Sequence, residues 1–133
     1  MSSPAEAADA VETALDLAWN DATPIAWGNA PFTPPTTGSW LKVDWLWGNG
    51  TVTTKSSGGL NSVVGVLQLA IFSPKNKGDV DGDAYSDVVR AIFNRVRMDE
   101  VWFGAASGPV KLEEESWRQT VVSVPFRVLE TVT

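Results

Sequence analysis

Val63-Val64-Gly65-Val66-Leu67-Gln68-Leu69-Ala70-Ile71-Phe72 is the stretch that decides the fold. Successive strand residues point to opposite faces, so Gly65, Leu67, Leu69 and Ile71 share one side while Val64, Val66, Ala70 and Phe72 share the other, around the single Gln68. A half-solvated strand alternates apolar with polar, and this one does not, which predicts a central strand covered on both faces. A helix layer accounts for the first cover. The second is either another helix layer or a neighbouring subunit.

Downstream, Ser73-Pro74-Lys75-Asn76-Lys77-Gly78 interrupts regular structure. From about Asp83 a helix is expected, because Tyr85, Val88, Val89, Ile92, Phe93 and Val96 recur at i, i+3, i+4, i+7, i+8 and i+11. Beyond Arg97 the chain reads as strands over 101–103, 110–114 and 117–129. They are separated by a turn from Gly104 to Pro109 and another near Glu115-Ser116. In the last strand Val122, Val124, Phe126 and Val128 share a face. Pro125 points the other way and has no amide hydrogen, which predicts a bulge or an edge position.

Upstream, Trp40 to Trp47 alternates well, with Leu41, Val43, Trp45 and Trp47 on one face and Trp40, Lys42 and Asp44 on the other. Gly48-Asn49-Gly50 is expected to turn tightly, and the Thr/Ser/Gly-rich segment through Gly58-Gly59 to be mobile. The connector from Gly28 to Pro35 contains Pro31, Pro34 and Pro35, which forbid a helix or a central strand; a short strand precedes it at 23–27. At the start, Ser3-Pro4-Ala5-Glu6 has the form of a capped helix N-terminus. Ala7, Ala10, Val11, Ala14, Leu15 and Ala18 then give a small-residue stripe ending near Asn20. Two helices against five or six strands predict an α+β domain over residues 1–133, with both helices packed on one face of a mainly antiparallel sheet.

The 133 residues are 44% apolar, enough for one core of ordinary size. With neither Cys nor His, disulfides, thiol nucleophiles, imidazole bases and thiolate or imidazole metal sites are all absent, and an enzyme is not expected. No apolar run approaches the roughly 20 residues that cross a bilayer, and the first residues lack a secretion signal, so a soluble protein made in the cytoplasm, without membrane contact, is expected. The net charge of −6 is uneven. Glu6, Asp9, Glu12, Asp16 and Asp21 precede any basic residue, whereas residues 22–78 set Lys42, Lys55, Lys75 and Lys77 against Asp44 alone. That pattern carries no basic nucleic-acid footprint.

Asp79-Val80-Asp81-Gly82-Asp83 imitates the first half of a calcium loop, but a twelve-residue loop would then need glycine at Ala84 and a carboxylate at Arg90. A solvated loop whose Asp81 or Asp83 caps the second helix fits better. Neighbours on a strand face opposite ways, so of Glu113-Glu114-Glu115 only Glu113 and Glu115 could cooperate as a carboxylate pair; a solvated edge is the better account. Seven tryptophans are many for this length. Core packing suits Trp45, Trp47 and Trp102, while Trp27 and Trp40 are open to partner contact or to partial burial.

The order of these features resembles the tail-terminator-like family of long-tailed phages, relatives of the lambda minor tail protein U. The resemblance lies in the small-residue first helix, the Asn29, Phe32, Pro34 connector, and Trp40-Leu41-Lys42-Val43. It continues through Gly65-Val66-Leu67-Gln68-Leu69-Ala70-Ile71 with Pro74 and Gly78, the helix ending in Ile92-Phe93, and Trp117-Arg118-Gln119 running into Val122-Ser123-Val124-Pro125-Phe126. It implies a hexameric ring of this chain in the virion neck. Such a ring caps the finished tail tube, stops its polymerisation, docks the head-completion protein and lets DNA pass through its lumen without specific binding. No cofactor is implied. Ring closure needs unlike patches on one subunit; candidates are Val64, Val66, Ala70, Phe72 and Pro125 between subunits, and Trp40, Asn49, Lys55, Lys75 and Lys77 toward tube or neck. The rival readings are another neck or tube subunit, and a carbohydrate-binding module using Trp27 and Trp40.

Overall fold

The computed structural model describes residues 4–28, 30–35, 38–52, 60–75, 80–113 and 116–131, with backbone alone at 49–52, 60–61 and 129–131. Helix α1 (Pro4–Trp19) begins on the proline, whose fixed φ suits a first helical residue; the expected cap at Ser3 lies outside the described residues. It buries Ala7, Val11, Leu15 and Trp19. This stripe is narrower than the expected one, because Ala10 and Ala14 are half-buried and Ala18 is exposed. Asn20 and Asp21 take positive φ (50° and 57°) and turn the chain out of the helix.

The elements that follow are β1 (Ile25–Trp27), β2 (Trp40–Val52), β3 (Leu60–Pro74), α2 (Val80–Phe93), β4 (Arg97–Met98), β5 (Val101–Phe103), β6 (Ser107–Glu113) and β7 (Trp117–Thr131). They form one sheet in the order β1-β2-β3-β7-β5-β4, with β6 pairing alongside β7. Only β1 and β2 run parallel; every other described pair is antiparallel. The architecture is α+β, with seven strands where five or six were expected, since the two-residue β4 is too short to leave a pattern.

The deciding stretch is indeed central. β3 pairs with β7 along all of Leu60–Pro74, and with β2 on its other side from Trp40↔Phe72 to Val52↔Asn61. On its first face, Leu67, Leu69 and Ile71 join Leu41, Val43, Val122, Val124 and Val128 in a core closed by Val11 and Leu15 of α1 and Val89 and Phe93 of α2. Helix α2 starts earlier than expected and turns a different face inward. It buries Gly82, Ser86, Val89 and Phe93, while Val88 is 44% exposed. The reason is proximity: a Cβ at Gly82 would collide with Thr120 Oγ1 of β7. Small residues therefore face the sheet in the first two turns, and periodicity of large apolar side chains misses them.

Two local expectations are corrected. Gly48-Asn49-Gly50 makes no turn: it remains within β2 as an irregularity, where the register shifts between Trp47 and Gly50. Pro125 is neither at an edge nor at a bulge but in the middle of β7, opposite Val66. Its carbonyl accepts from Gly104 N at 2.9 Å. A strand residue's N and C=O point the same way, so the missing donor faces the gap where the chain passes from β5 to β6, and the ladder to β3 is intact. That gap is held by Arg90, whose Nη1 donates to the carbonyls of Ala106 (3.1 Å) and Gly108 (2.8 Å), and by Asn94 Oδ1, which accepts from Ala106 N at 2.9 Å.

Candidate assembly surfaces

The face of β3 turned away from the helices is divided in two. Near Phe72 it is closed by the chain itself. Trp40 stacks on Phe72 with ring centroids 4.1 Å apart and planes at 9°, meets Trp117 edge-on at 5.9 Å, and is flanked by Phe32 at 5.0 Å. Ala26 and Ala70 complete this cluster. Phe32 comes from the proline-rich connector, so the cover expected from a helix layer or a neighbour is supplied here by an extended segment. Ala70 and Phe72 are buried within the subunit, and so is Trp40, which offers no free platform to a partner or a sugar. Its Nε1 has no hydrogen-bond partner among the described residues.

Toward the other end the same face is open. Leu46, Val66 and Pro125 stand side by side across β2, β3 and β7. Leu46 is 48% exposed, Val66 half-buried and Pro125 exposed. One pair further along, Val64 (43% exposed) lies opposite Arg127, Arg127 opposite Trp102, and Trp102 opposite Arg97. The Arg97 guanidinium sits 4.4 Å over the Trp102 ring, an arrangement that holds the cation by the ring's negative face. Trp102 was expected in the core. It is 41% exposed, because Val101 and Phe103 take the two inward positions of the three-residue β5.

A third surface went unrecognised in the sequence. β1 ends at Trp27, opposite Val43, so β2 from Asp44 onward has no strand on its outer side among the described residues. The space between that edge and α1 is a groove of 680 Å³ whose lining includes Asp9, Glu12, Trp27, Asp44, Trp45 and Trp47. Glu12 Oε2 accepts from Trp45 Nε1 at 2.9 Å. Trp45 and Trp47 stack at 5.5 Å with planes at 13°, and both meet Phe126 edge-on, at 5.2 and 5.1 Å. Phe126 reaches them by lying across Gly65, which stands between Phe126 and Trp47 in register. Trp47, also expected in the core, is 43% exposed and forms the outer wall.

The remaining sequence candidates separate. Lys75 is exposed just after β3, and Asn49 lies in the irregular part of β2. Lys55 and Lys77 fall outside the described residues, as do Asp79, Glu114 and Glu115. Asp81 accepts from Ser39 Oγ at 3.0 Å, Asp83 pairs with Lys111, and Glu113 pairs with Arg118 at 2.9 Å, so these carboxylates are held in surface contacts within the chain. No described helix is long and apolar enough to cross a membrane.

A family model described as phage tail terminator protein matches residues 6–126. Among solved structures, a protein bearing only a sequence label is similar over 91% of this chain and 94% of its own, with a TM-score of 0.67 and 19% identity, a likeness of fold. No curated protein matches the sequence.

Proposed function

The chain belongs to the phage tail terminator protein family, and from that premise we propose that six copies close into a ring that caps the finished tail tube. The family places it as a structural component of the phage tail. A tube grows because each added ring leaves an end that accepts the next. A terminator stops growth by binding that end with one surface while offering a different one outward, to the head-completion protein in this reading.

The observation that carries the proposal is the open half of the outer sheet face. Leu46, Val64, Val66 and Pro125 form an apolar exposure continuous across three strands, in a chain whose other half of the same face is sealed by its own connector. Contiguous apolar surface of this kind marks a protein interface. We assign it to the contact between neighbouring copies in the ring. Ala70 and Phe72, buried under the connector in the sealed half of that face, are left out of the contact. Contact with the tube or neck is assigned to Asn49 in β2 and Lys75 just after β3, and to Lys55 and Lys77, which lie outside the described residues. The net charge of −6 suits a conduit that DNA traverses without adhering.

The test is electron microscopy of purified protein mixed with capped and uncapped tails. Attachment to open ends alone, with six-fold density, is the expected result. Attachment to both kinds of tail, or long tubes formed by this protein by itself, would replace the terminator reading with that of a tube subunit.

A further inference from the structure

A ring closed by one rotation needs two unlike surfaces that fit each other, and the open sheet face supplies only one. We propose that its complement is the groove between α1 and the free edge of β2, and that this groove receives the Arg97–Trp102–Arg127 row of a second copy. The inference rests on the ring reading and adds to it the identity of the opposing surface.

The chemistry of the two surfaces is reciprocal. The groove combines the carboxylates of Asp9, Glu12 and Asp44 with the indoles of Trp27, Trp45 and Trp47. Among the described residues, neither Asp9 nor Glu12 faces a cation. Among the described residues, the groove's carboxylates are met inside the chain by the Trp45 indole on Glu12 and by the loose pairing of Lys42 with Asp44 at 3.7 Å, between partly exposed side chains. Carboxylates beside indole faces make a receptor for guanidinium, which can be held edge-on by the acids and face-on by the rings. The row offers two such groups around an exposed indole. Arg97 already sits over the Trp102 ring, and Arg127 flanks that ring on the neighbouring strand.

Placement also fits. The groove opens at the β1–β2 edge on the helix side of the sheet, whereas the row lies on the β7-β5-β4 side and on the opposite face. Unlike patches on opposite edges and opposite faces let each copy give with one side and receive with the other. Identical patches meeting across a two-fold axis would stop at a dimer. The row is continuous with Val64, and the next pairs along the same face are Pro125 and Val66, so the apolar surface assigned above is buried in the same contact. Asp99 and Glu100 occupy the turn between β4 and β5. Complementarity is therefore carried by the strand residues of the row and not by the net charge of that edge.

Because the chain contains no cysteine, the pairing is open to direct cross-linking. Asp9→Cys and Arg127→Cys proteins, each confirmed folded by circular dichroism, are mixed on open tails and oxidised. A disulfide-linked dimer of the two unlike variants is expected, with none from either variant alone. In parallel, Glu12→Arg and Arg127→Glu should each weaken association between copies about ten-fold, and joining both substitutions in one chain should recover most of that loss. Absence of the unlike cross-link, or single reversals that leave association unchanged, overturns the pairing even if the wild type caps tails. A wild-type protein that binds no open tail removes the ring reading, and this pairing with it.

Discussion

Replacing Gly65 by alanine tests how the aromatic wall of the groove is built. Gly65 sits between Trp47 and Phe126 in register, and a Cβ there would stand 2.6 Å from Phe126 Cζ, 2.9 Å from its Cε2, and in collision with the carbonyl oxygen of Leu46. The ring can swing only by giving up its edge contacts with Trp45 and Trp47, and the carbonyl belongs to the β2–β3 ladder and cannot yield cheaply. Overpacking of this order costs about 1–3 kcal/mol. The methyl group also removes freedom from the unfolded chain, which returns about 0.4–1 kcal/mol. The net expectation is a loss of about 1–2 kcal/mol, read as a midpoint shift in urea followed by tryptophan fluorescence, or as a Tm lower by about 3–6 °C. A Phe126→Leu background removes the ring, so Gly65→Ala should cost less there, the difference being the ring's share and the remainder that of the Leu46 carbonyl. An alanine variant as stable as the wild type would refute this account of the wall.

Two further comparisons separate packing from assembly. Trp45→Phe deletes the indole donor to Glu12 and should cost about 1–2 kcal/mol, whereas Trp40→Phe deletes a donor that has no partner among the described residues and should stay within about 1 kcal/mol of wild type, both by thermal denaturation. The reverse ranking would mean that the Trp40 indole is bonded after all. Leu46→Lys with Val66→Lys adds charge to the open face and should leave monomer stability within about 1 kcal/mol while abolishing attachment to open tails in electron micrographs. Normal capping by that variant would take the apolar face out of the interface.

Large-scale pattern was legible in the chain where burial is uniform. The double-faced apolarity of 63–72 placed the central strand, the alternation of 40–47 its neighbour, and proline at position 4 the first helix. What escaped was set by contacts between distant residues. Nothing local marks Gly82 and Ser86 as the inward face of α2, because the cause is Thr120, far along the chain. Nor does alternation within β5 show that Trp102 is left outside, since that depends on which of three residues the core accepts. Polar strand neighbours left Trp40 open to partner contact or partial burial, and Phe32 and Trp117 arrive from opposite sides in sequence to cover it. The groove is harder still. Its carboxylates and indoles come from α1, β1 and β2, and only the early end of β1 at Trp27 makes room for them.

The long ladder between β3 and β7 also bears on how the protein is made. β3 has β2 beside it as soon as that hairpin closes, but its other edge must wait for residues 117–131, which are synthesised after the elements from α2 to β6. Through that interval a nascent chain presents a long, nearly uncharged row of unpaired peptide groups, the kind of edge that recruits strands from other molecules. Speed of translation through the segment from α2 to β6, and chaperone occupancy while it emerges, should thus govern the yield of usable subunits more strongly than the equilibrium stability of the finished fold.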